Sequence, residues 1–170
     1  MRKTLAALAL LLPTLLVAAP KPANYSGKWT LVRAQSRNLP PFYAHVTSHA
    51  LDVKQSADAL DVHVTISSDD RGTETFDFHY TLDGKEAQTA STIITPNGAK
   101  AVPTTLKAIV QDGGNLQITI VRQIPMPDQT IQATTVETWQ LAPDGKTITI
   151  HRADDTPRGK MESDLSFVKE

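Results

Sequence analysis

Glu137 and Arg152 are the residues of this sequence whose spacing most directly predicts a meeting of opposite charges. They flank Asp144-Gly145, a dipeptide favoured in two-residue type I′ turns because both central residues take positive φ. With those two residues as the loop, Leu141 opposes Ile148, Trp139 opposes Ile150 and Glu137 opposes Arg152, all on one face. The Leu, Ile and Trp members make that face the buried one, so the charge pair points inward. Arg152 is also within reach of Trp29 as a cation–π contact on this reading. The pair is either a polar anchor for a ligand headgroup or a structural pair that closes one end. Replacing Glu137 alone is expected to destabilise the fold strongly, because it strands Arg152.

Two more arginines follow the inward parity. Arg33 shares a face with Trp29 and Leu31, and Arg122 shares one with Ile118, Ile120 and Ile124. Either they carry buried aliphatic stems to the rim, or three inward arginines against one inward carboxylate leave room for an anionic ligand group such as a carboxylate. Asp83-Gly84 is a second expected two-residue turn, which would set Phe76 opposite Ser91, Phe78 opposite Thr89 and Tyr80 opposite Ala87. Large side chains facing small ones either lean across to fill a narrow barrel or wall a cavity.

The five histidines offer less. His45 and His49 are spaced i, i+4, but the Val46-Thr47-Ser48 run between them reads as extended, which separates them by about 13 Å and argues against a shared metal. His63 and His79 fall on the polar face of adjacent strands, with His63 opposite either Asp77 or His79. Asp154 and Asp155 read as a charged turn before Pro157 and Gly159. The sequence holds no Gly-x-Ser-x-Gly elbow, no His-Glu-x-x-His and no phosphate-cradling glycine loop. No catalytic residue, metal site or cofactor is therefore assigned.

The elements that must position these residues are strands. From Pro20 onward, Thr, Val and Ile make up 39 of 151 residues, and β-branched side chains fit a pleated surface better than a helix. Apolar residues recur with period two, as in Val62, Val64 and Ile66, or Phe76, Phe78 and Tyr80, the rhythm of half-buried antiparallel strands. Strands are expected near 27–36, 46–55, 59–67, 73–82, 86–95, 100–111, 115–124, 129–141, 147–153 and 160–168. Asn97-Gly98 marks a third tight turn, Asp70-Arg71-Gly72 and Asp112-Gly113-Gly114-Asn115 longer ones, and Pro125-Met126-Pro127-Asp128 a stiffer loop. Pro103 inside the sixth strand signals an edge position or a bulge. The irregular stretch from Arg37 to Ala44, with Pro40-Pro41 and Phe42-Tyr43, is long enough to cover one end. A meander of about 8–10 such strands, all-β and antiparallel, closes most economically as an up-and-down barrel; a sandwich would need more long crossovers than the one available.

The ends of the chain resemble a family. Gly27-Lys28-Trp29 resembles the Gly-x-Trp signature of lipocalins, and Glu137-Thr138-Trp139-Gln140-Leu141, followed by Asp144 to Ile150 and Arg152, is similar to the closing hairpin of exported bacterial lipocalin-like (calycin-type) proteins of uncharacterised function. The chain lacks the Thr-Asp-Tyr triplet of the second lipocalin motif. The resemblance implies a small barrel able to hold an apolar molecule and no particular activity.

Composition agrees and supplies an address. Arg2 and Lys3 precede an apolar run from Leu5 to Val17, and Val17, Ala18 and Ala19 are small enough for a signal peptidase. Residues 1–19 therefore read as a secretory signal cleaved after Ala18 or Ala19, leaving a single domain over 20–170 that is secreted or periplasmic. Its 15 cationic and 18 anionic side chains give a net charge of −3. No basic stripe suggests nucleic acid, and no stretch approaches the roughly 20 apolar residues of a stable membrane span. With no cysteine, neither disulfides nor thiolate metal sites are available. The expected function is binding of a small apolar or amphipathic molecule, an anionic one included, among Trp29, Arg33, Phe76, Phe78, Tyr80, Arg122, Glu137, Trp139 and Arg152. The alternative is an interaction or inhibitor module with a solidly packed barrel. A lumen of at least about 300 Å³ separates the two.

Overall fold

The computed structural model describes residues 21–95, 98–126, 128–157 and 159–170. The expected leader, Asn97 of one expected turn and Pro127 of the expected stiff loop lie outside the described residues. Ten strands follow the period-two segments: β1 (Gly27–Leu31), β2 (Val46–Gln55), β3 (Ala59–Ser68), β4 (Gly72–Thr81), β5 (Ala87–Thr95), β6 (Gly98–Val110), β7 (Leu116–Pro125), β8 (Thr130–Leu141), β9 (Thr147–Thr156) and β10 (Gly159–Lys169). They form one antiparallel sheet in the order β4-β3-β2-β1-β10-β9-β8-β7-β6-β5. Because β1 pairs with both β2 and β10, the two ends of the chain are stitched together and the sheet curls into an up-and-down barrel. The edges of that sheet, β4 and β5, are consecutive in sequence yet share no ladder.

That seam corrects the expected Asp83-Gly84 hairpin. Asp83 bridges to Ile109, and the Gly84 amide donates to the Ala108 carbonyl at 3.1 Å, so the connection leans on β6 instead of turning β4 onto β5. Only Gly84 takes positive φ, while the Asp83 carboxylate accepts bonds from the Lys85 amide and the Thr81 hydroxyl. This is a local Asp-nucleated bend, and the pairings of Phe76 with Ser91, Phe78 with Thr89 and Tyr80 with Ala87 do not form. The Asp144-Gly145 register, by contrast, holds in full, although its turn differs. Ala142 donates to Thr147 and Gly145 to Ala142, making a four-residue loop in which only Gly145 has positive φ. Lengthening a loop from two to four residues symmetrically leaves every opposed pair unchanged. At the third expected turn, Gly98 is already a ladder residue paired with Thr95.

β1 stops at Leu31, short of the expected residue 36, because Arg33–Gln35 and then Pro41–Ala44 coil into 3-10 turns. Pro40 and Pro41 have no amide to give a ladder, and the segment lies across one end of the barrel, here called the mouth. Pro103 is accommodated without a bulge: β6 pairs with β5 there, but its pairing with β7 begins only at Thr104, so the proline faces an open side.

The opposite end is sealed by residues 21–26. The Ala23 amide donates to the Gly114 carbonyl at 2.9 Å. Gly114 takes φ +82, and a Cβ there would sit 2.8 Å from the Ala23 nitrogen, so no larger residue fits. Tyr25 and Trp29 are fully buried, the Trp29 Nε1–H donates to the Tyr25 carbonyl, and the Tyr25 ring meets Trp139 edge-on at 5.9 Å. The Tyr25 hydroxyl donates to the Trp139 carbonyl at 2.8 Å, and burial pushes its pKa up to about 12. Tyr25→Phe removes that bond from the sealed end and is expected to cost about 1–2 kcal/mol, read as a lower urea midpoint with an unchanged m-value.

Candidate functional site

The strands alternate, so each contributes every second residue to the lumen. At the sealed end these are Leu116, Ile148, Ile150, Leu51, Val53, Leu60 and Phe167, which pack into a continuous core with Trp29 and Trp139. Towards the mouth the packing opens into a cavity of about 480 Å³. Its wall is mainly apolar, with Phe78 and Tyr80 stacked at 6.0 Å and 16°. The alternative of a solidly packed interior is not met, since the volume lies within the range of about 300–1,000 Å³ typical of ligand pockets.

Of the nine residues expected to line this space, Phe76, Phe78, Tyr80, Arg122, Glu137, Trp139 and Arg152 do. Trp29 and Arg33 do not. Trp29 lies in the sealed end, where Lys169, not Arg152, lies over its ring at 5.1 Å. Arg33 leaves the strand with the first 3-10 turn, is exposed, and donates to the Val46 carbonyl. Its parity was sound only for as long as the strand continued.

One polar cluster is built around Arg152. Glu137 and Arg152 oppose each other on β8 and β9, with Arg152 Nη1 3.4 Å from Glu137 Oε1. The shorter bonds run to Asp154, from Nε at 2.8 Å and Nη2 at 2.9 Å. Thr135 donates to Asp154 at 2.6 Å, and Trp139 Nε1–H donates to Glu137 at 3.0 Å. Asp154 is thus a strand residue aimed inward and not part of a charged turn, which corrects the sequence reading. Burial works to raise its pKa, yet the Arg152 bonds and charge outweigh it and hold the carboxyl below the usual range. The same contacts overcome burial in the other direction and hold Arg152 firmly protonated.

The second arginine is differently placed. Arg122 on β7 donates Nε–H to Ser91 at 3.2 Å, and Ser91 shares a hydrogen bond with Thr104, the cross-strand neighbour of Arg122. No carboxylate lies within salt-bridge distance of Arg122 among the described residues. Burial, and then the positive charge of Arg152, lower its pKa. Among the described residues that line the cavity, the charges are therefore two arginines and two carboxylates, not three and one, and the capacity for an added anion is concentrated at Arg122.

Tyr43 and His49 are lumen residues that the expected set did not include. Tyr43, from the segment over the mouth, is buried and its hydroxyl lies 2.9 Å from Nδ1 of His49. His49 is only 9% exposed, and burial, aided by the charge of Arg152, lowers its pKa to about 4. Its parity with Leu51 and Val53 was the available signal.

A second hollow, of about 590 Å³, lies along the seam and is walled mostly by outward groups. There His63 meets Asp77 at 2.7 Å and His79 meets Asp61 at 2.6 Å, with all four at least 47% exposed. His63 thus opposes Asp77, one of the two partners expected. His45, Asp69 and Asp70 bring ligand atoms within 4.8 Å of one another on the surface, but Arg71 lies beside Asp70 at 3.8 Å and competes with any cation. The lumen, a partly open and mainly apolar hollow with a small number of fixed polar groups, has the composition of a small-molecule site.

No protein-family model matches the chain, and no curated protein matches it. Among solved structures the chain is similar to a zebrafish ileal bile acid-binding protein crystallised with cholic acid, at 16% identity over 86% of this chain and 98% of that one, with a TM-score of 0.47.

Proposed function

We propose that the chain is an exported carrier or sensor that holds a small, largely apolar acid inside the barrel, with the acid group at Arg122. The observation that carries this reading is an arginine in an apolar lumen with its Nη nitrogens lacking a carboxylate partner among the described residues, while the neighbouring Arg152 is already held by Asp154 and Glu137. A carboxylate can accept two parallel bonds from such a guanidinium, an arrangement about twice as strong as a neutral pair. Its charge also offsets the repulsion between Arg122 and Arg152. The apolar remainder of the ligand replaces water against Phe76, Phe78, Tyr80 and Ile120.

Displacement of a fluorescent probe by dodecanoic acid tests the reading. Arg122→Gln is expected to weaken the acid by about 10- to 100-fold, since a hydrogen bond to a charged group contributes about 1.5–3 kcal/mol. Dodecanol should bind the two proteins alike. Equal affinity of the acid for both proteins, or no displacement by the acid at all, overturns the assignment. Export after removal of residues 1–19 belongs to the same proposal, and the intact mass of the protein recovered from outside the cytoplasm tests it.

A further inference from the structure

His49 and Arg122 stand on opposite walls. In the strand order, β2 and β7 are five places apart in a ring of ten, and each residue lies three positions inside the mouth end of its strand. His49 faces the lumen beside Tyr43, with the Phe167 ring edge-on at 5.0 Å behind it.

The proton on its imidazole follows from the role taken by its tyrosine partner. The Tyr43 hydroxyl is buried and has no polar partner other than His49 Nδ1 among the described residues. A buried hydroxyl hydrogen favours an acceptor, and with Tyr43 taken as the donor Nδ1 accepts. In a neutral imidazole that leaves the hydrogen on Nε2. No acceptor for Nε2–H exists among the described residues, and the ring borders the cavity. The result is an N–H donor on a ring, held by its tyrosine, that borders a mainly apolar chamber across from a guanidinium.

We infer that His49 is a second anchoring point of the same lumen, and that the occupant is an apolar acid carrying a hydrogen-bond acceptor, such as a ketone oxygen, remote from its carboxylate. This rests on Arg122 as the anchor of the acid group. An occupant held at both walls lies across the barrel, between the sealed core and the Phe42-Tyr43 segment, and a plain hydrocarbon tail would leave the His49 donor unsatisfied. A donor without an acceptor in such surroundings is costly.

The experiment compares dodecanoic acid with its 8-, 9-, 10- and 11-oxo derivatives by probe displacement on the mature protein. At least one oxo acid is expected to bind about tenfold tighter than the parent acid, and His49→Phe is expected to abolish that ratio. Should His49→Phe not fold, nitrogen-15 NMR of the unaltered protein reads the tautomer directly. Protonation at Nε2, with a shift on adding the preferred oxo acid, supports the inference; protonation at Nδ1 overturns it. Acid binding that requires Arg122 but shows no oxo preference overturns this inference and leaves the carboxylate anchor standing. Failure of every acid to bind overturns both.

Discussion

Asp154→Asn is expected to lower the melting temperature by about 5–10 °C. The substitution keeps the shape and removes the charge that receives two of the short Arg152 bonds. Breaking a buried pair by deleting one partner typically costs about 3–5 kcal/mol. The Arg152 side chain is 34% exposed, to the lumen, which reduces the penalty to about 2–3 kcal/mol. For a domain of this length each kcal/mol moves the midpoint by roughly 2–4 °C. Replacing Arg152 by Met in the same chain should recover much of the loss, because no stranded guanidinium remains. Glu137→Gln should cost less than Asp154→Asn, since its contact with Arg152 is longer at 3.4 Å and Gln can still accept from Trp139. The strong effect expected of Glu137 thus passes to Asp154. Equal melting temperatures for native and Asp154→Asn protein would refute the assignment. The carboxyl of Asp154 is held below its ordinary pKa, so its contribution is complete above about pH 4 and disappears as pH falls through the lowered value.

Acidification has an earlier effect, through His49. Its pKa falls from 6.5 to about 4 on folding, so the unfolded chain takes up a proton in that interval and the native protein does not. Stability is therefore full above pH 6.5 and declines as pH drops towards 4, by up to about 3 kcal/mol at 1.36 kcal/mol per pKa unit. The groups setting this are the Phe167 and Tyr43 rings that exclude water and the Arg152 cation on β9, itself flanked by Asp154 and Glu137. Urea denaturation at pH 7, 5.5 and 4.5 should show a steep loss in the native protein and a much flatter one in His49→Phe. Parallel curves would sink this account. Any Asp154 contribution appears only below that window, so the two residues separate on the pH axis.

The strands were legible because their signal is local. Period-two patterning at Val62 to Ile66 or Leu116 to Ile120 needs no knowledge of neighbours, and the β8–β9 register survived a wrong turn type because only parity matters there. The Asp83-Gly84 hairpin failed for a non-local reason. Where a ten-stranded ring leaves its discontinuity is decided by how β1 joins β10, and no dipeptide records that. At the site, Phe76, Phe78 and Tyr80 fell on the lumen by parity alone and independently of the pairing expected for them. Asp154 carried the same parity as Arg152 but sat too close to Pro157 to be read as strand. His49 was read against His45, four residues away, although its inward rhythm with Leu51 and Val53 was present. Tyr43 arrives from irregular chain, where periodicity has nothing to measure.

A hoop cut at one point can change its girth without breaking any of its links. The barrel is such a hoop: the ladders of the described strands all lie on one side of the cut, and the Asp83–Ile109 bridge and the Gly84–Ala108 bond lean across it. An occupant too broad for the lumen is therefore expected to be accommodated by parting β4 from β5, where no ladder bond has to break, while its polar ends meet donors held on the laddered wall.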